Sequence, residues 1–130
     1  MTNLTIVQNT YHGINSGDDG KSLTKYLTPD ASWTEAAGFP YCGTYIGADA
    51  IQKNVFQRIG SEWLDYKLEI EGYVADGDSI FAYGHYSGTY LETGKFFTAR
   101  VAHLWKVKAG KIISFEQFVD SHIVQQTLLK

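Results

Sequence analysis

The sequence predicts an α+β fold with helices first and a curved sheet after them. Three observations carry this. Apolar residues recur at helical spacing up to Gly60, and beyond it they alternate with polar ones at period two. The turn dipeptides Asp76-Gly77, Thr93-Gly94 and Ala109-Gly110 then cut the second half into strands. At 130 residues the chain is long enough for one domain, expected over 1–130, with one core and a small cavity.

Leu4, Val7, Tyr11 and Ile14 form one stripe of a first helix, stopped by Asn15-Ser16-Gly17-Asp18. A second, Lys21 to Leu27, turns Leu23, Tyr26 and Leu27 inward and ends before Pro29-Asp30. Ala31 to Ala36 reads as a strand, and Gly38-Phe39-Pro40-Tyr41-Cys42-Gly43 as a loop. A third helix, from about Gly47 through Ile59, carries Ile51, Val55, Phe56 and Ile59 on one side. Four long strands follow at 65–75, 78–91, 95–108 and 111–119, and then a tail helix from Ser121 to Leu129.

Composition narrows the function. Apolar residues are 44% and charged residues 19%, an ordinary globular balance. The net charge of −3 speaks against a phosphate-tracking surface, so no nucleic-acid partner is expected. No apolar run approaches the roughly 20 residues that span a bilayer. The start MTNLTIVQNTYHG lacks the basic and apolar stretches of a signal peptide, so a cytoplasmic protein with no membrane partner is expected. The lone Cys42 has no evident base beside it and reads as an inert small residue. No GxSxG elbow, phosphate-cradling glycine loop or HExxH motif occurs, and no metal site or cofactor is expected. Aromatics reach 15%, with nine Tyr, seven Phe and three Trp. They suit either a sheet-rich core or a lined ligand cavity.

Strand faces locate that cavity. Lys67, Glu69 and Glu71 cannot face a core, so Tyr66, Leu68 and Ile70 must. With tight symmetric turns, Leu68 stands opposite His85, His85 opposite Ala102, and Ala102 opposite Gln117. The inner face then also holds Tyr83, Ser87, Thr89, Thr98, Arg100, Leu104, Phe115 and Val119. Such a polar interior demands water or ligand to satisfy it, which is the mark of a pocket. A register slip of one residue would exchange the two faces. The opposite face, with Ile80, Ala82, Tyr86, Val101, His103, Trp105, Ser114, Glu116 and Phe118, is expected to bury itself in a homodimer through the outer sheet, or partly under the tail helix.

This layout resembles the SnoaL-like branch of the nuclear transport factor 2-like superfamily, which includes polyketide cyclases, ketosteroid isomerases and limonene-epoxide-hydrolase-type enzymes. The resemblance rests on Ile14-Asn15-Ser16-Gly17-Asp18, Pro29-Asp30-Ala31-Ser32-Trp33, Gly43-Thr44-Tyr45-Ile46-Gly47, Ala102-His103-Leu104-Trp105-Lys106-Val107, Gly110-Lys111-Ile112 and Phe118-Val119-Asp120. It implies a cone, a curved mixed or antiparallel sheet wrapped around N-terminal helices (a cystatin-like α+β barrel), with a pocket at the open end.

The resemblance places the isomerase's general base on Glu35, beside Trp33 and Phe39, where an apolar pocket would raise the carboxyl's pKa. Glu35 could instead pair with Arg100 or cap a loop. The oxyanion-binding Tyr falls on Thr10, with Tyr11 next to it, and the neutral Asp falls on Ala102. The hydrolase-type Arg-x-Asp becomes Arg100-Val101-Ala102, without its acid. Arg100 or His85 could stabilise an enolate oxygen, and His85 could shuttle a proton or be a core histidine bonded to Tyr83 or Ser87. Asp120 matches the cyclase's acid/base position, or N-caps the tail helix. The expected lining is Tyr11, Trp33, Phe39, Tyr66, Tyr83, Ala102, Gln117 and Val119. The ligand implied is a small hydrophobic, polyketide-, terpenoid- or steroid-like molecule, and the chemistry is cofactor-independent proton transfer in an isomerase, cyclase or dehydratase. A non-catalytic ligand-binding or accessory domain, or a dimeric scaffold, are the other readings.

Overall fold

The computed structural model describes residues 1–15 and 20–130, so the expected helix stop at Ser16-Gly17-Asp18 lies outside the described residues. Helix α1 (Asn3–Asn15) begins where Thr2 Oγ1 accepts from the Thr5 amide at 3.1 Å, and it buries Ile6, Val7 and Tyr11. The short α2 (Lys21–Thr24) buries Leu23. Strand β1 (Leu27–Glu35) turns Ala31, Trp33 and Glu35 inward at period two. The edge strand β2 (Gly43–Ile46), absent from the expected elements, pairs antiparallel with β1. A continuous helical stretch follows: α3 (Ala48–Ile51), a π-helical turn (Gln52–Phe56) and α4 (Gln57–Glu62). Then come β3 (Trp63–Asp76), β4 (Ser79–Tyr90), β5 (Phe96–Lys108), β6 (Lys111–Val119) and α5 (Ser121–Leu128). No helix among the described residues is long and apolar enough to cross a membrane.

The six strands form one curved mixed sheet in the order β2-β1-β6-β5-β4-β3, with β1 and β6 parallel and the other neighbours antiparallel. Helix α1 packs against β3, β4 and β5. The main core joins Val7, Tyr11, Leu23, Trp33, Val55, Trp105, Ile112 and Phe115. A second cluster gathers Phe39, Tyr41, Trp63, Tyr86, Phe97, Ala99, Val101 and Val124 under α5.

Two β-bulges correct the expected faces. Between Ile70 and Gly72 the β3–β4 ladder skips Glu71, so Leu68 stands opposite Tyr86, and His85 stands opposite Glu69. Gly84 makes this possible: a Cβ there would lie 1.8 Å from the Glu69 carbonyl oxygen. A second skip between Lys106 and Val107 sets Ala102 opposite Phe118, and His103 opposite Gln117. The first bulge inverts β4 and β5 relative to expectation, and the second restores β6. Leu68, Ile70, Phe115 and Gln117 therefore face the concave side as expected. Tyr83, His85, Ser87, Thr89, Thr98, Arg100, Ala102 and Leu104 belong instead to the convex side. Ile80, Ala82, Tyr86, Val101, His103 and Trp105, assigned to an outer dimer face, are buried inside.

Candidate functional site

A cavity of about 810 Å³ opens between the concave sheet and the helices. Buried Tyr11, Trp33, Glu35, Val55, Trp63, Tyr86, His103, Trp105 and Phe115 wall it, and exposed Gln57, Gly60, Asp65 and Lys67 rim its mouth. Local irregularities shape both ends. The π turn contributes Gln52, Val55 and Phe56, and Phe56 meets Trp33 edge-on at 5.5 Å. At Asp65, held at φ 52°, the β3 ladder shifts again, so Trp63 and Tyr66 both turn inward although they are three residues apart.

Glu35 ends β1 inside this cavity, 4% exposed, and its Oε2 has no hydrogen-bond partner. Burial pushes its carboxyl up to about 8, and the Trp33 indole, close by but outside hydrogen-bond geometry, offsets only part of this. The Tyr66 hydroxyl is likewise buried without a partner. Burial raises Tyr66 and Tyr86 well above the usual phenol value, and the charge of Glu35 adds to both, which places that carboxylate within electrostatic reach of each ring.

The centre of the concave wall is a chain of polar groups. Trp105 Nε1 donates to the Tyr11 hydroxyl at 2.8 Å, and that hydroxyl meets His103 Nδ1 at 2.6 Å. His103 Nε2 meets the Tyr86 hydroxyl, also at 2.6 Å, and Gln117 Nε2 donates to the same hydroxyl at 3.0 Å. Gln117 Oε1 accepts from the Ala36 amide at 3.0 Å. Burial lowers His103 to about 3, so its imidazole is neutral at ordinary pH.

Of the expected site residues, the structure brings Glu35, Tyr11, Trp33 and Tyr66 together on the cavity, with Gln117 bonded behind it. Phe39 packs in the second core cluster, with its ring 6.3 Å from Tyr86. Val119 is half-buried against that cluster. Asp120 caps α5, its side chain accepting from the Ile123 amide at 3.4 Å. Tyr83 and Ala102 pair on the convex side. His85 and Arg100 also lie there: His85 sits 3.2 Å from Glu69 and 3.4 Å from Glu71, and Arg100 binds Glu71. Hydrogen bonds from His85, and then from Arg100, hold the Glu71 carboxyl below its usual value. Neither side chain reaches the cavity, and Arg100 does not pair with Glu35.

At two of the positions carried over by resemblance, the neighbouring residue is the one on the cavity. Thr10 turns its hydroxyl back to the Val7 carbonyl, and Tyr11 is the residue on the cavity. Ala102 is convex, and His103 takes the interior place. A signal for His103 was present: Phe97, Ala99, Val101, Trp105 and Val107 alternate with it as a buried run along β5. Among the described residues no three His, Cys, Asp or Glu side chains gather as a metal set.

The SnoaL-like domain family matches residues 7–115. The chain is similar over 100% of its length to an NTF2-like protein from Burkholderia thailandensis, with 43% identity, 99% of that chain covered and a TM-score of 0.97. It shares 20% identity with TerC, co-crystallised with polyporic acid, at a TM-score of 0.86 and with 97% of each chain covered. A hypothetical protein of ketosteroid isomerase-like fold from Catenulispora acidiphila, in complex with trimethylamine, is 17% identical, with 96% of this chain and 93% of that one covered and a TM-score of 0.80. No curated protein matches the sequence. The chain belongs to the SnoaL-like domain family.

Proposed function

We propose that this SnoaL-like protein binds a small, mostly apolar carbonyl compound in the concave cavity, and that Glu35 moves a proton at the carbon beside the carbonyl. One observation carries the reading. The carboxyl is buried among aromatic rings with an unpartnered oxygen, and burial raises it to about 8. A carboxylate so placed is a far stronger base than one in water, and nearby hydroxyl donors can hold the oxygen on which charge develops. The Tyr66 hydroxyl is such a donor. This is the elementary step of isomerases, cyclases and dehydratases that work without a cofactor.

The test needs no knowledge of the natural substrate. Cyclic ketones such as 2-tetralone are incubated with the protein in D2O, and exchange of the hydrogens beside the carbonyl is followed by NMR. Catalysed exchange that Glu35→Gln abolishes, while 2-tetralone still binds, is the expected result. Binding without exchange would favour the second reading, a ligand-binding module. That reading draws its support from the neutrality of Glu35 below its pKa of about 8.

The partner proposed for the convex face is a second copy of the chain. Phe81 and Phe118 stack at 5.9 Å there, beside Tyr83 and Leu104. Glu69, Glu71 and Glu116 share the face with Arg100 and Lys106, so the face carries both signs of charge rather than one that would repel its own copy. Sedimentation at micromolar concentration would show a dimer that Phe118→Glu converts to monomer; a wild-type monomer would end this part of the proposal.

A further inference from the structure

We propose that His103 sets the hydrogen-bond polarity of the cavity. It engages the hydroxyls of both Tyr11 and Tyr86 and leaves one of their two hydrogens free for a ligand oxygen, so the cavity selects an acceptor at that point. The inference deepens the proposed function and rests on its reading of the cavity as a ligand site.

The argument is a count of hydrogens. Trp105 Nε1 can only donate, and it does so to the Tyr11 oxygen. The Gln117 amide is oriented by the Ala36 N–H, which donates to its Oε1, so its nitrogen is the donor toward the Tyr86 oxygen. Each phenol oxygen therefore already accepts one hydrogen. Between the two rings stands His103, with each of its nitrogens 2.6 Å from one hydroxyl. A neutral imidazole carries one N–H and one lone pair. One tyrosine donates into the lone pair, and the other receives the N–H. The receiving oxygen then accepts twice, and its own hydrogen has no partner within this chain of groups. Three hydrogens are present for two contacts, and the tautomer of His103 decides which tyrosine keeps the spare one.

The spare donor is on the cavity wall, because Tyr11, Tyr86 and His103 all line it. An unspent hydroxyl in an apolar enclosure is unfavourable, so a ligand that offers an oxygen there gains what the empty site lacks. Burial keeps His103 neutral, and the count holds across the working pH range. The ligand class that fits is one with a carbonyl, enolate or phenolate oxygen on an apolar body.

The test compares acetophenone with ethylbenzene, which match in shape and differ by one acceptor. NMR of the free protein, labelled at His and Tyr, should show one protonated and one bare nitrogen on His103. One of the two tyrosine hydroxyl protons should be far downfield and the other not. Acetophenone should move only the second proton, shift its own carbonyl carbon downfield, and bind about tenfold more tightly than ethylbenzene, as one added hydrogen bond predicts. Tyr11→Phe/Tyr86→Phe should reduce this preference. Both hydroxyl protons downfield before ligand is added, or a doubly protonated His103, would overturn the inference. Equal binding of the two compounds, or a preference unchanged in Tyr11→Phe/Tyr86→Phe, would overturn the selectivity and leave the cavity reading standing. Failure of both compounds to bind would overturn the two together.

Discussion

Two histidines on neighbouring strands show how completely one turn of the backbone decides a side chain's chemistry. His85 on β4 lies on the convex face among Glu69, Glu71 and Arg100, all in contact with water. His103 on β5 is 3% exposed, among Tyr11, Tyr86, Trp105 and Phe115. On the convex face charges are plentiful and solvent screens them, so each ion pair contributes little. On the concave face burial keeps the imidazole neutral, and it acts through hydrogen-bond direction alone.

The largest break in this contrast should come from Gly84→Ala. The bulge that separates the two faces needs the Glu69 carbonyl oxygen where a Cβ would stand, and backbone on both sides cannot yield cheaply. A loss of ~4 kcal/mol or more in urea denaturation is expected.

Glu35→Gln sharpens the concave side. The wild-type carboxyl has its pKa raised from 4.5 to about 8 in the folded state, so the folded protein binds the proton more tightly. Its contribution is fully present below the unfolded value and is lost as pH rises through the folded one. A shift of that size corresponds to on the order of 5 kcal/mol. Wild type should therefore lose stability between pH 5 and pH 9 relative to Glu35→Gln, as read from the difference in Tm at the two pH values. Exchange catalysis should run the opposite way, rising as pH approaches 8.

Leucine at each histidine tests the comparison directly. His103→Leu leaves the Tyr11 and Tyr86 hydroxyls without their shared partner and should cost about 3 kcal/mol. His85→Leu should stay within about 0.5 kcal/mol, as surface changes do. Equal costs in chemical denaturation would contradict the assigned faces. Acid gives a further reading. The His103 pKa is lowered from 6.5 to about 3, so this residue's contribution is present above the unfolded value and falls away as pH drops toward 3. His103→Leu should remove that part of the acid sensitivity, measurable as a flatter Tm profile between pH 6 and pH 4.

Much of the fold was legible because each element carries its own periodicity. The α1 stripe of Leu4, Val7, Tyr11 and Ile14, the Lys67-Glu69-Glu71 alternation and the Ala109-Gly110 turn all stand where the chain pattern put them. Strand β2 was missed because four residues with three exposed positions show no apolar alternation. Within the site, Glu35, Trp33, Tyr11 and Tyr66 were legible. His103 and Tyr86 were not, because their inward direction was inferred across strands rather than along them. β5's own alternation, from Phe97 to Val107, was the sounder guide.

The sequence by itself determined most of the helices and strands and which side of β3 meets the core, and its family resemblance pointed to a carboxyl at position 35 among aromatic rings. Only the tertiary structure decided that His103 rather than His85 shares that enclosure. The reason is physical: periodicity within a strand is a local property of the chain, whereas register between strands shifts with a single unpaired residue. At Glu71 that extra residue fits because the opposing Gly84 has no side chain.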